Sequence, residues 1–334
     1  MKRGVAVREY LSYLAVRSVA ALFNIFPINL NLRTARLLGS IWYHFPARFP
    51  ILGRALAKHR ARAEEHIRLA MPGLAPDEVR RIALGSMQSI AMMAVEVLMT
   101  PRVVTLWSWA RYLHPRGLEP ALRVLLARQG AILLTAHYGN WELLGFALAR
   151  LGFELHAVMR PLDNERLNTF LMAQREPSGL RLLYKKGATQ SMDDILAERG
   201  ALCFIADQNA GSKGLFVEFF GRQASTYRSI GLLAIRHRVP IIVGYARRLG
   251  PRFEYELGVS RVIHPHEWQD RPDELRWLTQ EFSTAMEQFI RAAPEQYLWI
   301  HRRWKSRPPE ERAAAAGAAT GPDDVAVSPD DARL

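Results

Sequence analysis

The chain changes rhythm at Gly130: helical apolar spacing gives way to short apolar runs that alternate with helix-length amphipathic segments. From Tyr10 to Asn31 it is rich in Leu, Val, Ala, Ile, Phe and Tyr, but Arg17, Asn24 and Pro27 interrupt it before about 20 clean apolar residues accumulate. An amphipathic or shallowly embedded helix is expected, with a single span and an ordinary core helix left open. Lys2, Arg3, Arg8 and Arg17 would meet anionic headgroups, with Tyr10, Tyr13, Phe23 and Phe26 at the interface. No small-residue cleavage site follows a compact apolar core, so a removed signal peptide is not expected. Residues 33–69 continue basic and aromatic, and residues 1–68 are expected to form a membrane-associating helical module. After the break at Met71-Pro72-Gly73, Pro76-Asp77-Glu78 opens a helix with acids in its first turn; its periodicity runs from Val79 to Met99, and Pro101 is expected to stop it.

Beyond Gly130 the pattern predicts strands at 131–136, 153–159, 181–184, 201–206 and 240–247, with helices at 140–151, 163–175 and 189–199. Such alternation predicts an α/β fold, a mostly parallel sheet flanked on both faces by helices, within a domain spanning 69–306. Residues 254–259 are expected to add an antiparallel strand and 272–292 a last long helix. Ligands of such sheets bind beyond the carboxyl ends of strands. His137, Arg160 and Asp207 each follow a predicted strand immediately, so one sheet edge would collect all three. The stretch 307–334, rich in Ala, Gly, Pro and Asp, is expected to be a disordered tail.

Composition narrows the partners. The 334 residues are 49% hydrophobic, enough for one large core, and 45 Lys and Arg against 32 Asp and Glu leave +13. Residues 1–68 hold twelve basic and three acidic residues, a net +9. A basic face of this kind fits anionic lipid, nucleic acid or a phosphorylated substrate, with a plain solvated basic surface as the alternative. The lone Cys203 excludes a disulfide within the chain and falls in an apolar run that reads as an interior strand; no zinc-site spacing is present.

The chemistry concentrates at His137-Tyr138-Gly139-Asn140-Trp141-Glu142. On one continuous helix, five residues turn through roughly 140°, which separates the two side chains. If 131–136 is a strand and a helix starts at Asn140, His137 and Glu142 can converge as a general base and its carboxylate. Spacing alone leaves a second reading open, in which His137 caps the helix and Glu142 complements its dipole. Arg160, before Pro161, can grip phosphate or steady an oxyanion, or simply pair with Glu142, Asp163 or Asp207. The loop Asp207-Gln208-Asn209-Ala210-Gly211-Ser212-Lys213-Gly214 lacks nucleotide-loop spacing, but it could present Lys213 to a phosphorylated substrate. Ser225-Thr226 is expected to cap a helix running through Arg236, with Arg228 facing the same cleft. Tyr297 to Lys305 interleaves aromatics with cations, a pattern that binds nucleic acid, lies at a membrane interface or anchors a terminus. A serine hydrolase is disfavoured because no Gly-x-Ser-x-Gly elbow occurs.

Taken together, His137 to Glu142, Ala206 to Asn209 with Gly211 to Phe220, Gln296 to Lys305, Leu69-Ala70-Met71-Pro72, the helix to Glu96, and Arg160-Pro161 resemble the bacterial lipid A biosynthesis lauroyl/myristoyl acyltransferase family. It is a branch of the His-x4-Asp/Glu glycerolipid acyltransferase superfamily, and the resemblance covers roughly residues 10–306. It implies an inner-membrane enzyme whose site faces the cytoplasm, moving a fatty acyl group from acyl carrier protein or a coenzyme A thioester to a hydroxyl of a lipid A precursor or related glycolipid. No cofactor is implied beyond that co-substrate. His137 would be the general base and Glu142 its partner. Arg160 and Asp207 match positions of the family's cleft, while Gln208, Lys213 and Arg228 are expected to line the substrate site. The chain has His66 where the family usually has Asn, and Glu142 where the wider superfamily has Asp. Acyl carrier protein, anionic membrane lipid and a glycolipid acceptor are the expected partners; nucleic acid is not. Another glycolipid, such as a mannosylated phosphoinositide or an ornithine lipid, or a lysophospholipid remains an alternative acceptor. A non-enzymatic basic protein binding membrane or nucleic acid would leave the polar groups at the strand ends unexplained.

Overall fold

A computed structural model describes residues 2–46, 48–49, 52–159, 161–175, 178–184 and 188–311. Arg160 and residues 312–334 therefore lie outside the described residues, while 307–311, assigned by sequence to the tail, enter a helical turn from Pro309.

Helices come first. Pro27 has φ −59° and ψ 143°, so it ends α1 (Lys2–Ile25) and turns the chain into α2 (Ile28–His44). Ile28, Asn31, Leu32, Ala35, Gly39 and Tyr43 recur at helical spacing and form the buried stripe of α2. At Gly39 that stripe nearly touches the helix over Pro76–Val103: an added Cβ would sit 2.6 Å from Gln88 Cα. α3 (Leu52–Ala70) and α4 (Pro76–Val103) follow, and Glu78 accepts the Ala75 N–H to cap α4. Pro101 does not stop α4, which runs on to Val103. So close to the helix end, a proline forfeits a single ladder bond, and packing of Met99 and Val104 against α2 outweighs it.

After α5 (Trp109–Tyr112), β1 (Leu113–Arg116) and α6 (Glu119–Leu126), the α/β alternation begins. It runs β2 (Ala131–Thr135), α7 (Trp141–Arg150), β3 (Leu155–Met159), α8 (Glu165–Arg175), β4 (Arg181–Tyr184), α9 (Ala188–Ala197) and β5 (Ala201–Ile205). A hairpin of β6 (Leu215–Phe219) and β7 (Arg222–Thr226) interrupts it before α10 (Arg228–His237), β8 (Ile241–Arg248), β9 (Tyr255–Ile263), α11 (Pro265–Trp268) and α12 (Glu274–Ala292). Ser225 and Thr226 lie in β7 and do not cap α10, whose N-cap is Tyr227.

The main sheet has the order β1-β9-β8-β2-β5-β3-β4, and every neighbouring pair except β8–β9 is parallel. The chain leaves β2 toward β3 and β4, returns through β5, and crosses to β8, so the winding reverses around β2 and β5. Their carboxyl ends form the crevice where such sheets hold ligands. Alternate residues of β2 enter different cores: Ile132 and Leu134 pack toward α10 and α12, and Leu133 toward α6 and α7. Tyr43, Ala63, Ile67 and Ala70 join the sheet's main core, so residues 1–68 have no wholly separate core. Among the described residues α4 alone is long and apolar enough to cross a membrane, yet half of its apolar window is buried inside the fold.

Candidate active site

Register brings the site together. Thr135 and Ile205 are paired across β2 and β5, and Ala206 donates its N–H to the Thr135 carbonyl at 2.9 Å. Two residues further along each strand stand His137 and Asp207, and His137 Nδ1 meets Asp207 Oδ1 at 2.7 Å. The turn carrying His137 is clamped from both sides. Gly139 donates its N–H to the Gln296 carbonyl, Asn140 donates to Ala246, and Leu298 donates to the His137 carbonyl, each at 3.0 Å. Gly139 has φ +56°, and a Cβ there would lie 1.9 Å from the Ala246 carbonyl oxygen; only glycine fits.

Beneath the turn lies a buried polar network. Asn140 caps α7 by accepting the Leu143 N–H at 2.9 Å and donates through Nδ2 to Glu96 Oε2 at 2.9 Å. The same carboxylate receives the Arg248 guanidinium and the Tyr255 hydroxyl. All four side chains are buried. A helix cap that is itself held by a buried ion pair fixes where α7 starts, and with it Trp141 and Glu142.

The electrostatics of the pair are concordant. Burial pulls the His137 pKa down, but the charge and hydrogen bond of Asp207, with the Glu142 charge, raise it above the ordinary imidazole value. Burial pushes Asp207 up, but His137 and then Arg303 hold it below the usual carboxylate range. An ionised Asp207 only accepts, so His137 carries its proton on Nδ1 and donates it in the hydrogen bond to Asp207, which leaves Nε2 as the free base. The His137 side chain keeps 15% of its surface, Trp141 stands edge-on at 4.9 Å, and Gln208 Nε2 lies 3.4 Å from Nε2.

The carboxylate bonded to the ring is thus Asp207, which the sequence reading placed only in the cleft. Glu142, expected as the ring's partner, lies in the first turn of α7 and reaches His137 through its charge. Lys213 is exposed in the turn before β6 and Arg228 is exposed at the start of α10; neither joins the hydrogen-bonded cluster around His137. Arg160 cannot be placed, since it lies outside the described residues.

Two residues of the carboxyl-terminal segment are additions to the site. The buried Arg303 donates to the carbonyls of Gln208 and Ser225 and to the Thr226 hydroxyl, tying the loop after β5 to β7. His301 Nε2 accepts the Asn209 N–H at 3.1 Å, and burial pushes its pKa down to about 4. From sequence this aromatic and basic segment reads as a nucleic-acid or membrane-interface pattern, as a terminus anchor and as one stretch of the family resemblance, and none of these marks its join to a loop 92 residues earlier.

An apolar pocket of about 130 Å³ adjoins Glu142, lined among others by Trp141, Gly145, Leu148, Leu155, Leu180 and Cys203. Burial pushes the Cys203 thiol up to about 12, so it is a protonated wall residue and not a nucleophile at neutral pH. Among the described residues, no three His, Cys, Asp or Glu side chains are grouped so as to hold a metal ion.

Comparison with known proteins adds a family. The model describing bacterial lipid A biosynthesis acyltransferases matches residues 17–306. The chain is 24% identical over 291 residues to the lipid A biosynthesis lauroyltransferase of Escherichia coli (strain K12), covering 81% of this chain and 90% of that protein. It is 25% identical over 290 residues, with the same coverage, to the lipid A biosynthesis palmitoleoyltransferase of the same organism. A shorter similarity, 29% over 109 residues, links it to the phosphatidylinositol mannoside acyltransferase of Mycobacterium tuberculosis (strain ATCC 25618 / H37Rv), covering 31% of this chain and 34% of that protein.

Proposed function

The chain belongs to the bacterial lipid A biosynthesis acyltransferase family, and on that premise we propose that it moves a fatty acyl group from an acyl thioester to a hydroxyl of a lipid A precursor or a related glycolipid, with His137 as general base. The observation that carries this reading is the 2.7 Å bond between His137 and Asp207, beside an apolar pocket at the sheet's carboxyl edge. The acceptor hydroxyl binds at Nε2 and gives up its proton as its oxygen attacks the thioester carbonyl. The tetrahedral intermediate then expels the thiolate, which takes the proton back from the imidazolium. Asp207 holds the ring and, with the Glu142 charge, stabilises that imidazolium. Gln208, whose amide nitrogen lies 3.4 Å from His137 Nε2, would direct an N–H at the incoming oxygen or the developing oxyanion. No covalent acyl-enzyme is required, because the acceptor brings its own nucleophile.

The acyl chain occupies the apolar pocket, and the donor is an acyl carrier protein or coenzyme A thioester. Arg160, Lys213 and Arg228 are assigned to anionic groups of donor or acceptor on charge and family resemblance. The enzyme sits on the cytoplasmic side of the inner membrane, held by α1 and α2. Val7, Leu11, Leu22 and Ile25 of α1 and Leu30, Leu37, Leu38 and Ile41 of α2 are exposed. On α2 these four lie opposite the buried stripe, with Arg33 and Arg36 at the edge, as on a helix lying in an anionic interface. The shorter similarity to a phosphatidylinositol mannoside acyltransferase favours one second reading, with a mannosylated phosphoinositide as acceptor.

The test is acyl transfer by membranes carrying wild type, His137→Ala or Glu142→Ala, offered acyl carrier protein and coenzyme A thioesters with either acceptor. Transfer by wild type that is lost in His137→Ala supports the reading. Undiminished transfer in His137→Ala refutes the base, and transfer to the mannosylated acceptor alone selects the second reading.

A further inference from the structure

Among the described residues, one large apolar side chain stands almost wholly in solvent. Trp107 is 96% exposed and its neighbour Leu106 is 57% exposed. They form the tip of a turn between α4 and α5 that polar bonds close from behind. Thr105 N–H donates to Ser108 Oγ at 3.0 Å, the two hydroxyls meet at 2.9 Å, and Ser108 Oγ donates to the Val103 carbonyl at 2.7 Å. These bonds fix the backbone of the turn that carries the indole.

The turn borders the α1–α2 corner. Arg102, at the end of α4, donates to the Asn24 carbonyl, and Asn31 donates to the Phe23 carbonyl at 2.7 Å and contacts Met99. At that corner Ile25 and Phe26 are exposed as well. The charge around them has one sign: no acidic residue occurs between Glu9 and Glu64 or between Glu96 and Glu119, while Arg102 and Arg111 flank the turn. A projecting indole, on a turn flanked in sequence by Arg102 and Arg111 and joined through α4 to the corner of α1 and α2, has the chemistry of the lipid interface, where an amphipathic ring sits at headgroup depth. A protein partner's hot spot is instead seated in a well-packed pocket at the centre of an interface.

We propose that the Leu106–Trp107 turn is a second membrane contact, inserted at the headgroup level of an anionic bilayer beside the α1–α2 corner. It rests on the reading of α1 and α2 as membrane-bound, and it adds what one contact cannot: a second point that fixes the tilt of the α/β domain. α1 meets the domain at the other end too, where Asn164 Nδ2 donates to the Glu9 carbonyl at 2.9 Å. Asn164 lies between β3 and α8, at the carboxyl edge of the sheet that bears His137. The two contacts together would hold that edge at a set angle to the lipid surface.

The test uses full-length protein and vesicles of phosphatidylethanolamine with phosphatidylglycerol, with pure phosphatidylcholine vesicles for comparison. Cys203 is partly exposed to the apolar pocket, so it is first replaced by alanine, and an environment-sensitive dye is then attached at Trp107→Cys, and separately at Leu126→Cys, which is 71% exposed at the opposite edge of the sheet. The expected result is a blue shift at 107, quenched by a lipid-borne quencher and stronger on anionic vesicles, with none at 126. Unlabelled Trp107→Ser should keep the wild-type thermal unfolding but partition roughly ten-fold more weakly. If wild type binds vesicles while the 107 dye stays in water, or Trp107→Ser binds equally well, the turn proposal fails and the membrane reading stands. Wild type that does not bind vesicles overturns both. A lipid-independent blue shift that grows with protein concentration would assign the turn to a second copy and overturn the lipid contact.

Discussion

His137 and Asp207 face each other because Thr135 and Ile205 are in register on neighbouring parallel strands, and each functional residue stands two positions beyond. Parallel strands that end level deliver side chains of equal parity to the same place. The pair is therefore a product of sheet topology, and Glu142, though much closer in sequence, reaches the ring through space by its charge.

Asp207→Asn should leave the fold in place and lower kcat roughly 10²- to 10⁴-fold, since the ring loses both its tautomer lock and the charge that steadies the imidazolium. Asp207 raises the His137 pKa, and only the deprotonated ring acts as base, so activity rises as pH passes that pKa. The residual activity of Asp207→Asn should then show its rising limb at lower pH than wild type. Glu142→Gln should move the limb the same way but less. A pH profile of kcat/KM measures both, and an unmoved limb in Asp207→Asn would show that the carboxylate does not tune the base.

Removing Glu96 should be costly. Glu96→Ala leaves Arg248 charged and buried and takes away the acceptor of Asn140, which is expected to destabilise by about 3–5 kcal/mol. The double variant Glu96→Leu with Arg248→Met should recover much of that, because the desolvation cost of both ions goes with them. Denaturant unfolding of the two variants decides it: equal losses would mean that the pair is not the source of the cost.

Much of the fold was legible because buried parallel strands are short apolar runs, and β2, β3, β5 and β8 are such runs. β1 was not, since Leu-His-Pro-Arg at a sheet edge buries only its leucine. The β6–β7 hairpin escaped because its turn, Phe220-Gly221, has φ of 54° and 68°, and phenylalanine is not a residue that announces a left-handed turn. The three strand-end groups at 137, 160 and 207 were visible as a set, but strand order is not written in local pattern. Without knowing that β5 lies beside β2, nothing could pair His137 with Asp207 in preference to Glu142. Arg303 and His301 were invisible as site residues for the same reason, since both act on a loop that only the fold brings near.

Gly145 lies on α7 against the apolar pocket, where an added Cβ would meet Leu180 at an ordinary 3.6 Å. Gly145→Leu is accordingly accommodated by the backbone and fills space that the acyl chain uses. Long acyl donors should lose affinity in preference to short ones, each displaced methylene costing about 0.8 kcal/mol, or roughly four-fold in KM. Competition between donors of different length reads this directly. An unchanged preference would place the acyl chain elsewhere.

His301 makes the fold acid-sensitive. Its folded pKa, about 4, lies below the ordinary 6.5 because the ring is buried, with the positive charges of His137 and Arg303 acting against protonation and Asp207 partly opposing them. Below about pH 6.5 the unfolded chain takes up a proton that the folded chain refuses. The stability contributed by the neutral ring is therefore present above that pH and lost as pH falls toward 4. His137 has the opposite sign, since its raised pKa adds stability below about 6.5 that disappears as pH rises through the folded value. His301→Asn removes the first effect and leaves the second, while its side-chain oxygen can still accept the Asn209 N–H. Thermal unfolding of wild type and His301→Asn between pH 6.5 and 4 should show wild type losing ground steadily relative to the variant. Parallel curves across that range would mean that His301 does not stay neutral in the fold.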